Sequence, residues 1–492
     1  MPANRFLGNP TDRDDNGGLR NRAYNGSRTE DPGETEGTTT VPYRTYAPHF
    51  YPNNMTDALT SLDMSTGLRK VAERAKREPA ARFHSLAHLI DEELLAGIYR
   101  RLRGNAAVGV DGITKEQYGQ DLQSNLRDLH ERLRRKRYRH QPIRRVHIPK
   151  ETGQKTRPIG ISTTEDKVVQ SALREVMEAI YEQDFLDCSY GFRPGRSAHD
   201  AVRALTRAVD AGEANWILEI DIASFDSVCR SQLLEMLQKR VADGSMLRLI
   251  GKCLHVGVLD GEELTTPSQG TVQGSTLSPL LGNVYLHNAL DRWFAEDVKP
   301  RLRGKGMLVR YADDGVFGFE RQDDAERVMA ALGKRMERFG LTLHPEKTRM
   351  LDFRRPLRSR GDGRSPTTFD FLGYCWYWRR TRRGSWAVTC KTRRARLARA
   401  IQAVYAWCRD NRHLPVKQQH EALTRRVRGH INYFGVNGNM RSLRHFMQQV
   451  RRSWFKWLNR RSQRARLTWA RYEDLLQALP LPEARIVVSI WR

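Results

Sequence analysis

Two adjacent aspartates, Asp313 and Asp314, lie between two apolar runs in the segment MLVRYADDGVFGF (residues 307–319). The pattern predicts a β-hairpin, and Asp is common in hairpin turns because it tolerates left-handed backbone. A second interpretation is that the two carboxylates hold a divalent cation. That interpretation requires a third carboxylate nearby and an anionic substrate, so the segment by itself leaves both open.

A third carboxylate follows the apolar run WILEIDI (residues 216–222), in which Asp221 stands at the end of a predicted buried strand. Polar residues are ordinary at strand ends. If this strand pairs beside the hairpin, however, Asp221 and Asp313 meet at the edge of one groove, where like charges repel unless cations lie among them. Two Mg²⁺ ions about 3.5–4 Å apart would relieve that repulsion, activate a hydroxyl nucleophile and stabilise a leaving pyrophosphate. Oxygen ligands suit Mg²⁺ better than zinc.

The net charge indicates the anionic substrate. The chain has 492 residues, with 84 Lys and Arg against 57 Asp and Glu and a formal charge of +27. Residues 371–470 hold 24 of the basic residues and only two acidic ones, Asp410 and Glu421, whereas the first 60 residues hold 6 basic and 8 acidic ones. Such a concentrated basic region predicts binding to a polyanion, most often nucleic acid.

Other sequence features exclude several classes of protein. The six cysteines are widely spaced with no CxxC pair, so we expect neither a zinc site nor a disulfide framework. No apolar run approaches the roughly 20 residues of a membrane span, and the first residues lack the apolar core of a secretory signal. We therefore expect a cytoplasmic protein with no membrane partner.

The elements that would position the carboxylates are of α+β type. Residues 1–65 lack a sustained apolar period and are expected to form a disordered or loosely ordered extension. Helical periodicity marks residues 166–182 and 198–210, the second preceded by a capping-box pattern that begins at Ser197. From residue 216 the order strand, helix, helix, hairpin, helix, strand predicts an antiparallel sheet with helices on one face. After FDFLGYCWYW the pattern is helical and basic to the end.

Three further segments have residue types that suit nucleotide phosphates. Lys150 and Arg157 flank a flexible turn in IPKETGQKTRPIGI, where they would clasp a triphosphate, although a solvated basic loop explains them about equally well. Gln273 and Gly274 lie in a turn rich in small residues, which allows a nucleotide or template backbone to approach closely. Lys347, in LTLHPEKTRM, would neutralise or protonate pyrophosphate, but an exposed loop lysine is the simpler explanation.

The order of these motifs resembles that of group II intron-encoded reverse transcriptases, also called maturases. The matching blocks are IPKETGQKTRPIGI, SYGFRPGRSAHDAV, DIASFDS, GTVQGSTLSPLLGN, YADD and GLTLHPEKT, and the similarity runs from about residue 109 to the C-terminus. The resemblance implies a right-hand polymerase with fingers at residues 66–210, a palm with the catalytic site at 211–378, a helical thumb or maturase X domain at 379–445, and a small basic nucleic-acid-binding segment at 446–492. No cysteine follows Cys408, so we expect no endonuclease domain and no cleavage of the target strand.

Carried over block by block, the resemblance assigns roles to individual residues. The aspartates of the catalytic metal site are Asp221, Asp313 and Asp314, with the Ile222 carbonyl beside them. The nucleotide-binding positions are Lys150, Arg157, Gln273, Gly274 and Lys347. Phe225 would be the aromatic that excludes a ribose 2′-hydroxyl, but DIASFDS has a single aromatic where the family usually has two, which leaves the identity of this sugar gate open.

The implied function is RNA-directed DNA synthesis by a nucleotidyltransferase that uses two Mg²⁺ ions and dNTPs. Such an enzyme would extend a DNA primer or target strand and bind its group II intron RNA as a maturase, which assists splicing and retrotransposition. In a bacterium it would be associated with the nucleoid. Two alternatives stay open: a related reverse transcriptase used by the host for defence or repair, and an RNA-binding splicing factor with a relict polymerase site.

Contacts to nucleic acid are expected from basic side chains, mostly in the C-terminal region, because Lys and Arg neutralise phosphates. The candidates are Arg193, Arg196, Arg426, Arg428, Arg451, Arg452, Lys456, Arg460 and Arg461. Interleaved aromatic residues would either stack on unpaired bases or pack in a core. These are Trp376, Trp378, Trp386, Tyr433, Phe434, Trp454 and Trp457.

Overall fold

The computed structural model describes residues 64–149, 156–222, 228–261, 263–265, 274–356, 367–461 and 466–491. All of them belong to one contact unit, Tyr46–Arg492. The extension expected at residues 1–65 lies almost entirely outside the described residues. None of the helices within the described ranges is long and apolar enough to cross a membrane.

The first part of the chain is mainly helical and contains one hairpin. Its elements are α1 (Thr66–Arg77), α2 (Glu92–Arg101), α3 (Lys115–Tyr118), α4 (Leu122–Arg134), β1 (Ile143–Pro149), β2 (Thr156–Ile161), α5 (Thr164–Asp184) and α6 (Ala198–Asp210). The helices predicted over residues 166–182 and 198–210 are present as α5 and α6. The Ser197 hydroxyl accepts a hydrogen bond from the Asp200 N–H, and the Asp200 carboxylate accepts one from the Ser197 N–H at 2.9 Å. This reciprocal cap fixes the start of α6.

The middle part forms a four-stranded antiparallel sheet. Its elements are β3 (Trp216–Asp221), α7 (Arg230–Gln238), α8 (Gly244–Leu254), β4 (Val258–Asp260), β5 (Glu263–Thr265), α9 (Ser278–Leu286), β6 (Gly306–Tyr311), β7 (Asp314–Phe319), α10 (Gln322–Arg338) and β8 (Arg349–Asp352). The strand order is β6–β7–β3–β8, and β4 and β5 join the first hairpin in a second sheet of order β2–β1–β4–β5. The predicted α+β class is confirmed.

Both faces of the central sheet are covered, whereas helices were expected on one face. Because successive side chains of a strand point to opposite faces, Leu218 and Phe317 enter a core formed with the helices. Their neighbours Ile217 and Val316 enter a second core. That second core includes residues of α6 and of the three-stranded sheet described next, so the central sheet is a middle layer between two cores.

The last part begins with strands that the sequence did not predict. Its elements are β9 (Phe369–Phe371), β10 (Tyr374–Arg380), β11 (Trp386–Thr392), α11 (Arg394–Asp410), α12 (Val416–Phe434), α13 (Met440–Leu458) and α14 (Trp469–Ala478). The helices were expected from residue 379, but β10 continues to Arg380 and pairs with β11 along its whole length. The palm boundary expected at residue 378 therefore falls inside a strand.

Aromatic residues of this last part pack mainly in cores. The rings of Phe369 and Trp376 stack at 5.6 Å with an interplanar angle of 6°, and the Trp378 indole N–H donates to the Phe353 carbonyl at 2.9 Å. Stacking on RNA bases was considered for seven aromatic residues, and the structure contradicts it for the five that are buried. These are Trp376, Trp378, Phe434, Trp454 and Trp457. Trp386 and Tyr433 are half-buried.

Candidate active site

Strand pairing brings the three predicted aspartates to one end of the central sheet. β3 lies beside β7, with Asp221 directly opposite Asp314, and β6 lies on the other side of β7, with Tyr311 opposite Asp314. Directly opposed residues have Cβ atoms about 4.5–5.5 Å apart on the same face of the sheet. Asp313 occupies the two-residue turn between β6 and β7, so it stands beside the opposed pair.

The neighbouring carboxylates alter the proton affinity of Asp314. Desolvation by surrounding protein atoms is the largest cause, and the charges of Asp313 and Asp221 add to it, so that the pKa of Asp314 is raised to about 7. The side chains of Asp313 and Asp314 remain exposed at the edge of the sheet. The repulsion among the carboxylates is the part of this shift that a bound cation would remove.

Lys347 contacts this cluster directly. Its ammonium lies 2.7 Å from Asp221 Oδ2. The loop that carries it is attached to the end of β3, because the His344 N–H donates to the Asp221 carbonyl at 2.8 Å and Ile222 forms a β-bridge with Leu343. The sequence favoured an exposed loop lysine, and the side chain is indeed 60% exposed, but its charge is directed at the carboxylate of the predicted metal site.

The donor set suits Mg²⁺ that is shared with a substrate. Among the residues that the structure describes, no three His, Cys, Asp or Glu side chains converge closely enough to enclose a metal ion. Mg²⁺ is usually held by one or two carboxylates together with substrate phosphates and water, and seldom by a closed protein cage. An open sheet edge with Asp221, Asp313 and Asp314 provides ligands of that kind.

Several predicted nucleotide contacts lie outside the described residues. These are Lys150, Phe225 and Gln273. Arg157 is described only by its backbone, which pairs with Ile148 across the β1–β2 hairpin. Gly274 is described, with a left-handed φ of +106°, and a Cβ placed on it would lie 2.3 Å from the Gly160 carbonyl oxygen. Only glycine therefore allows the end of this turn to lie against β2.

One predicted nucleic-acid contact needs correction. Arg193 is buried, and its guanidinium donates to the Glu182 carboxylate at 3.0 Å and to the carbonyls of Leu186 and Ser189 at 2.8 and 3.0 Å. Its donors are used inside the protein, so it does not present a charge to nucleic acid. Arg196 is partly exposed and pairs with Asp187.

The basic side chains predicted in the C-terminal helices mostly face solvent. Arg451 is the exception, because it is half-buried and donates to Glu473 at 2.6 Å. Lys456 is exposed but donates to the Tyr405 hydroxyl at 2.8 Å. The other exposed members of the predicted set are Arg426, Arg428, Arg452, Arg460 and Arg461.

A buried ion pair beside the aspartate turn was missed by the sequence analysis. Arg310 bonds to Asp291 through two guanidinium nitrogens, each at 2.7 Å, and both side chains are fully buried. The only sequence signal was a basic residue inside the apolar strand MLVRY, because buried arginines require acidic or polar partners. Nothing in the sequence indicated that the partner is 19 residues away on another element.

An antiparallel sheet that presents carboxylates beside a hairpin turn, in a chain with a basic helical region, suits a nucleotidyl-transfer enzyme that acts on nucleic acid. The sequence model of the family described as reverse transcriptase (RNA-dependent DNA polymerase) matches residues 148–375. That range begins in the β1–β2 hairpin and ends in β10, so it includes the whole central sheet.

Related proteins support the same family. Protein YkfC of Escherichia coli (strain K12) is 35% identical over 282 residues, which are 51% of this chain and 74% of YkfC. The group II intron-encoded protein LtrA of Lactococcus lactis subsp. cremoris is 35% identical over 207 residues, 42% of this chain and 34% of LtrA. An uncharacterized 91 kDa protein in the cob intron of Schizosaccharomyces pombe is 34% identical over 223 residues, 45% of this chain and 27% of that protein.

The chain thus spans most of YkfC but only about a third of LtrA. It belongs to the reverse transcriptase family and, within it, to the group II intron reverse transcriptases and maturases. The predicted family and the predicted enzyme class, an RNA-directed DNA polymerase, are confirmed.

Proposed function

We propose that this protein extends a DNA primer or target strand on an RNA template with dNTPs, and that it binds a group II intron RNA to assist splicing and retrotransposition. The observation that carries the proposal is the pairing of β3 with β7, which sets Asp221 opposite Asp314 and beside Asp313. LtrA is named as a group II intron-encoded protein, which supports intron RNA as the partner. Since both partners are nucleic acids, we also propose a nucleoid-associated location in the bacterial cytoplasm.

The residues at the sheet edge would have different roles in nucleotide addition. Asp221, Asp313 and Asp314, with the Ile222 carbonyl, would hold two Mg²⁺ ions. When bound, these ions lower the pKa of the attacking hydroxyl and neutralise the leaving pyrophosphate. Lys347, whose ammonium is already at the site, would offset negative charge on the phosphates. Gly274 would let the turn that lies against β2 approach the incoming nucleotide. The remaining nucleotide contacts would have the roles that the family resemblance gives them: Lys150, Arg157, Gln273 and Phe225.

We assign the described elements to a right-hand polymerase. The first hairpin and the helices up to α6 would be the fingers, and the central sheet with α7–α10 the palm. The helices from α11 onward would be the thumb or X domain, followed by the basic C-terminal segment. The support is the separate core that α11–α14 form around residues such as Trp454 and Phe446. Because Arg428, Arg452 and Arg461 are exposed on or next to α12 and α13, these helices would grip RNA phosphates.

Primer extension on an RNA template tests the proposal. Asp313→Asn removes a charge from the metal site and should abolish Mg²⁺-dependent extension. RNA affinity should stay near that of the parent, because the exposed arginines lie on other elements. Asp323→Asn is the matched control: Asp323 is another surface aspartate of the same region, but it pairs with Arg321 at 3.0 Å and should be replaceable without loss of extension. Extension by Asp313→Asn at the parent rate would show that the metal site is assigned to the wrong residues.

A further inference from the structure

The polar network around Arg310 lies directly beneath the aspartate turn. Arg310 is opposite Gly315 in the hairpin, one position before the opposed pair of Tyr311 and Asp314. Since side chains alternate along a strand, Arg310 points to the face of the sheet away from Asp314. The residue is 0% exposed, so its guanidinium has no access to solvent, nucleotide or nucleic acid.

Every N–H of this guanidinium has an acceptor inside the protein. An arginine side chain offers five N–H groups. Two go to the Asp291 carboxylate at 2.7 Å each, and one each goes to Asn283 Oδ1 at 2.9 Å, Ser189 Oγ at 2.7 Å and the Ala312 carbonyl at 3.0 Å. The last of these acceptors belongs to the hairpin turn itself, immediately before Asp313.

The backbone at this turn is strained and is held from the side. Ala312 has a φ of +57°, a left-handed conformation that is unfavourable for residues other than glycine and persists only where the surroundings fix it. Gly191 lies against the turn so closely that a Cβ on it would be 2.4 Å from the Ala312 nitrogen. The Asn283 amide donates to the Gly191 carbonyl at 2.8 Å, which connects this support to the Arg310 network.

Three separate segments thus meet at one guanidinium: the loop at residues 188–191, α9 with the π-helical turn His287–Asp291 that follows it, and the hairpin. The loop is also joined to β6 by main-chain bonds, from the Arg310 N–H to the Cys188 carbonyl at 2.7 Å and from the Tyr190 N–H to the Arg310 carbonyl at 2.8 Å. Displacing any one of these segments would change the position of the Ala312 carbonyl.

We propose that Arg310, with Asp291 as its counter-ion, is a positioning residue for catalysis: it fixes the Ala312 carbonyl and thereby the strained turn that presents Asp313. This inference rests on the proposed function of the aspartate site. A positioning role predicts a specific defect. A variant that lacks the Arg310 contacts should fold and bind primer–template and dNTP normally. Its requirement for Mg²⁺ should rise and its kcat should fall, since misplacing a catalytic group by about 1 Å can cost about a hundredfold in rate.

The first test is Arg310→Lys, which keeps the charge but has only three N–H groups and no planar fork. We expect kcat for primer extension to fall about tenfold to a hundredfold and the half-saturating Mg²⁺ concentration to rise, with the KM for dNTP unchanged. Arg240→Lys is the matched control. Arg240 is also buried, pairs with Asp184 at 3.0 Å and donates to the carbonyls of Glu78 and Ala81. Its replacement should lower the melting temperature without changing the Mg²⁺ requirement.

A second variant guards against misfolding. The double substitution Arg310→Met with Asp291→Leu removes both buried charges and keeps the volume, a replacement that often preserves stability. We expect it to fold, as shown by its melting temperature, and to have the same defect in kcat and Mg²⁺ requirement. The proposal is overturned if either variant folds and extends primers with the kcat and Mg²⁺ requirement of the parent. A parent protein that does not extend primers at all would instead refute the proposed function.

Discussion

Removal of the Lys347 charge gives the sharpest test of how charge is balanced at the aspartate site. The Lys347 ammonium lies 2.7 Å from Asp221, with the lysine side chain 60% and the aspartate side chain 21% exposed. In this arrangement the lysine occupies a position beside a carboxylate that a cation would need. Lys347→Met keeps most of the length and apolar surface of the side chain but removes this competitor, so a divalent cation should bind more tightly.

The size of the effect follows from the exposure of the pair. Ion pairs that are largely open to water contribute about 0.2–1 kcal/mol, well below their Coulomb energy, because solvent and salt screen them. A free-energy change of that size corresponds to about a 1.4- to 5-fold change in an equilibrium constant. We therefore expect the dissociation constant of the cation to fall by a factor within that range in Lys347→Met, and the effect to shrink at high salt.

Binding and catalysis should respond in opposite directions. Titration with Mn²⁺, followed by electron paramagnetic resonance and repeated with Mg²⁺ as competitor, measures cation affinity in the absence of nucleotide. Primer extension measured in parallel should become slower, because the charge that offsets the nucleotide phosphates has been removed. Lys305→Met is the control: its ammonium also lies 2.7 Å from a carboxylate, that of Glu213, next to the opposite end of β6. Equal cation affinity in Lys347→Met and the parent, or weaker affinity in the variant, would refute the idea that Lys347 competes with the cation for Asp221.

Three further predictions concern the RNA grip, the sugar gate and a buried histidine. Replacing Arg428, Arg452 and Arg461 together by Gln should reduce the slope of log RNA affinity against log salt concentration by about 2, at about 0.7 per lost contact to single-stranded RNA. An unchanged slope would mean that other residues bind the RNA phosphates. Phe225→Val should admit ribonucleotides that the parent rejects, as measured by single-nucleotide incorporation, whereas strong discrimination in both proteins would mean that another residue is the gate. Burial lowers the pKa of His287 to about 4, so protonation of this histidine favours the unfolded chain. Its contribution to the free energy of unfolding should be fully present above pH 6.5 and should decrease by about 3 kcal/mol as the pH falls from 6.5 to 4. His287→Asn should remove most of that decrease in acid denaturation curves, while the same change at the exposed His413 should not; an unaltered pH dependence in His287→Asn would contradict the assignment.

The sequence determined much of the fold because local patterns report local structure. Alternating apolar residues in WILEIDI and MLVRYADDGVFGF gave the strands and the turn, and antiparallel pairing of such strands places residues at their ends together. Asp221, Asp313 and Asp314 could therefore be predicted as neighbours. The start of α6 at Ser197 could be predicted for the same reason, since a capping box involves residues only three positions apart.

Only the tertiary structure decided which partner each charged or aromatic side chain found. Lys347 and Asp221 are 126 residues apart, and nothing local indicates that their charges meet. Arg193 was predicted to bind nucleic acid and is buried against Glu182, and five of the seven aromatic residues considered for stacking are core residues. β11 was missed because its basic surroundings resemble those of the helices that follow. A sequence motif specifies periodicity and side-chain type, whereas burial depends on which surfaces pack together. The support of the aspartate turn by Arg310 is likewise a property of packing, because its acceptors come from three separate segments of the chain.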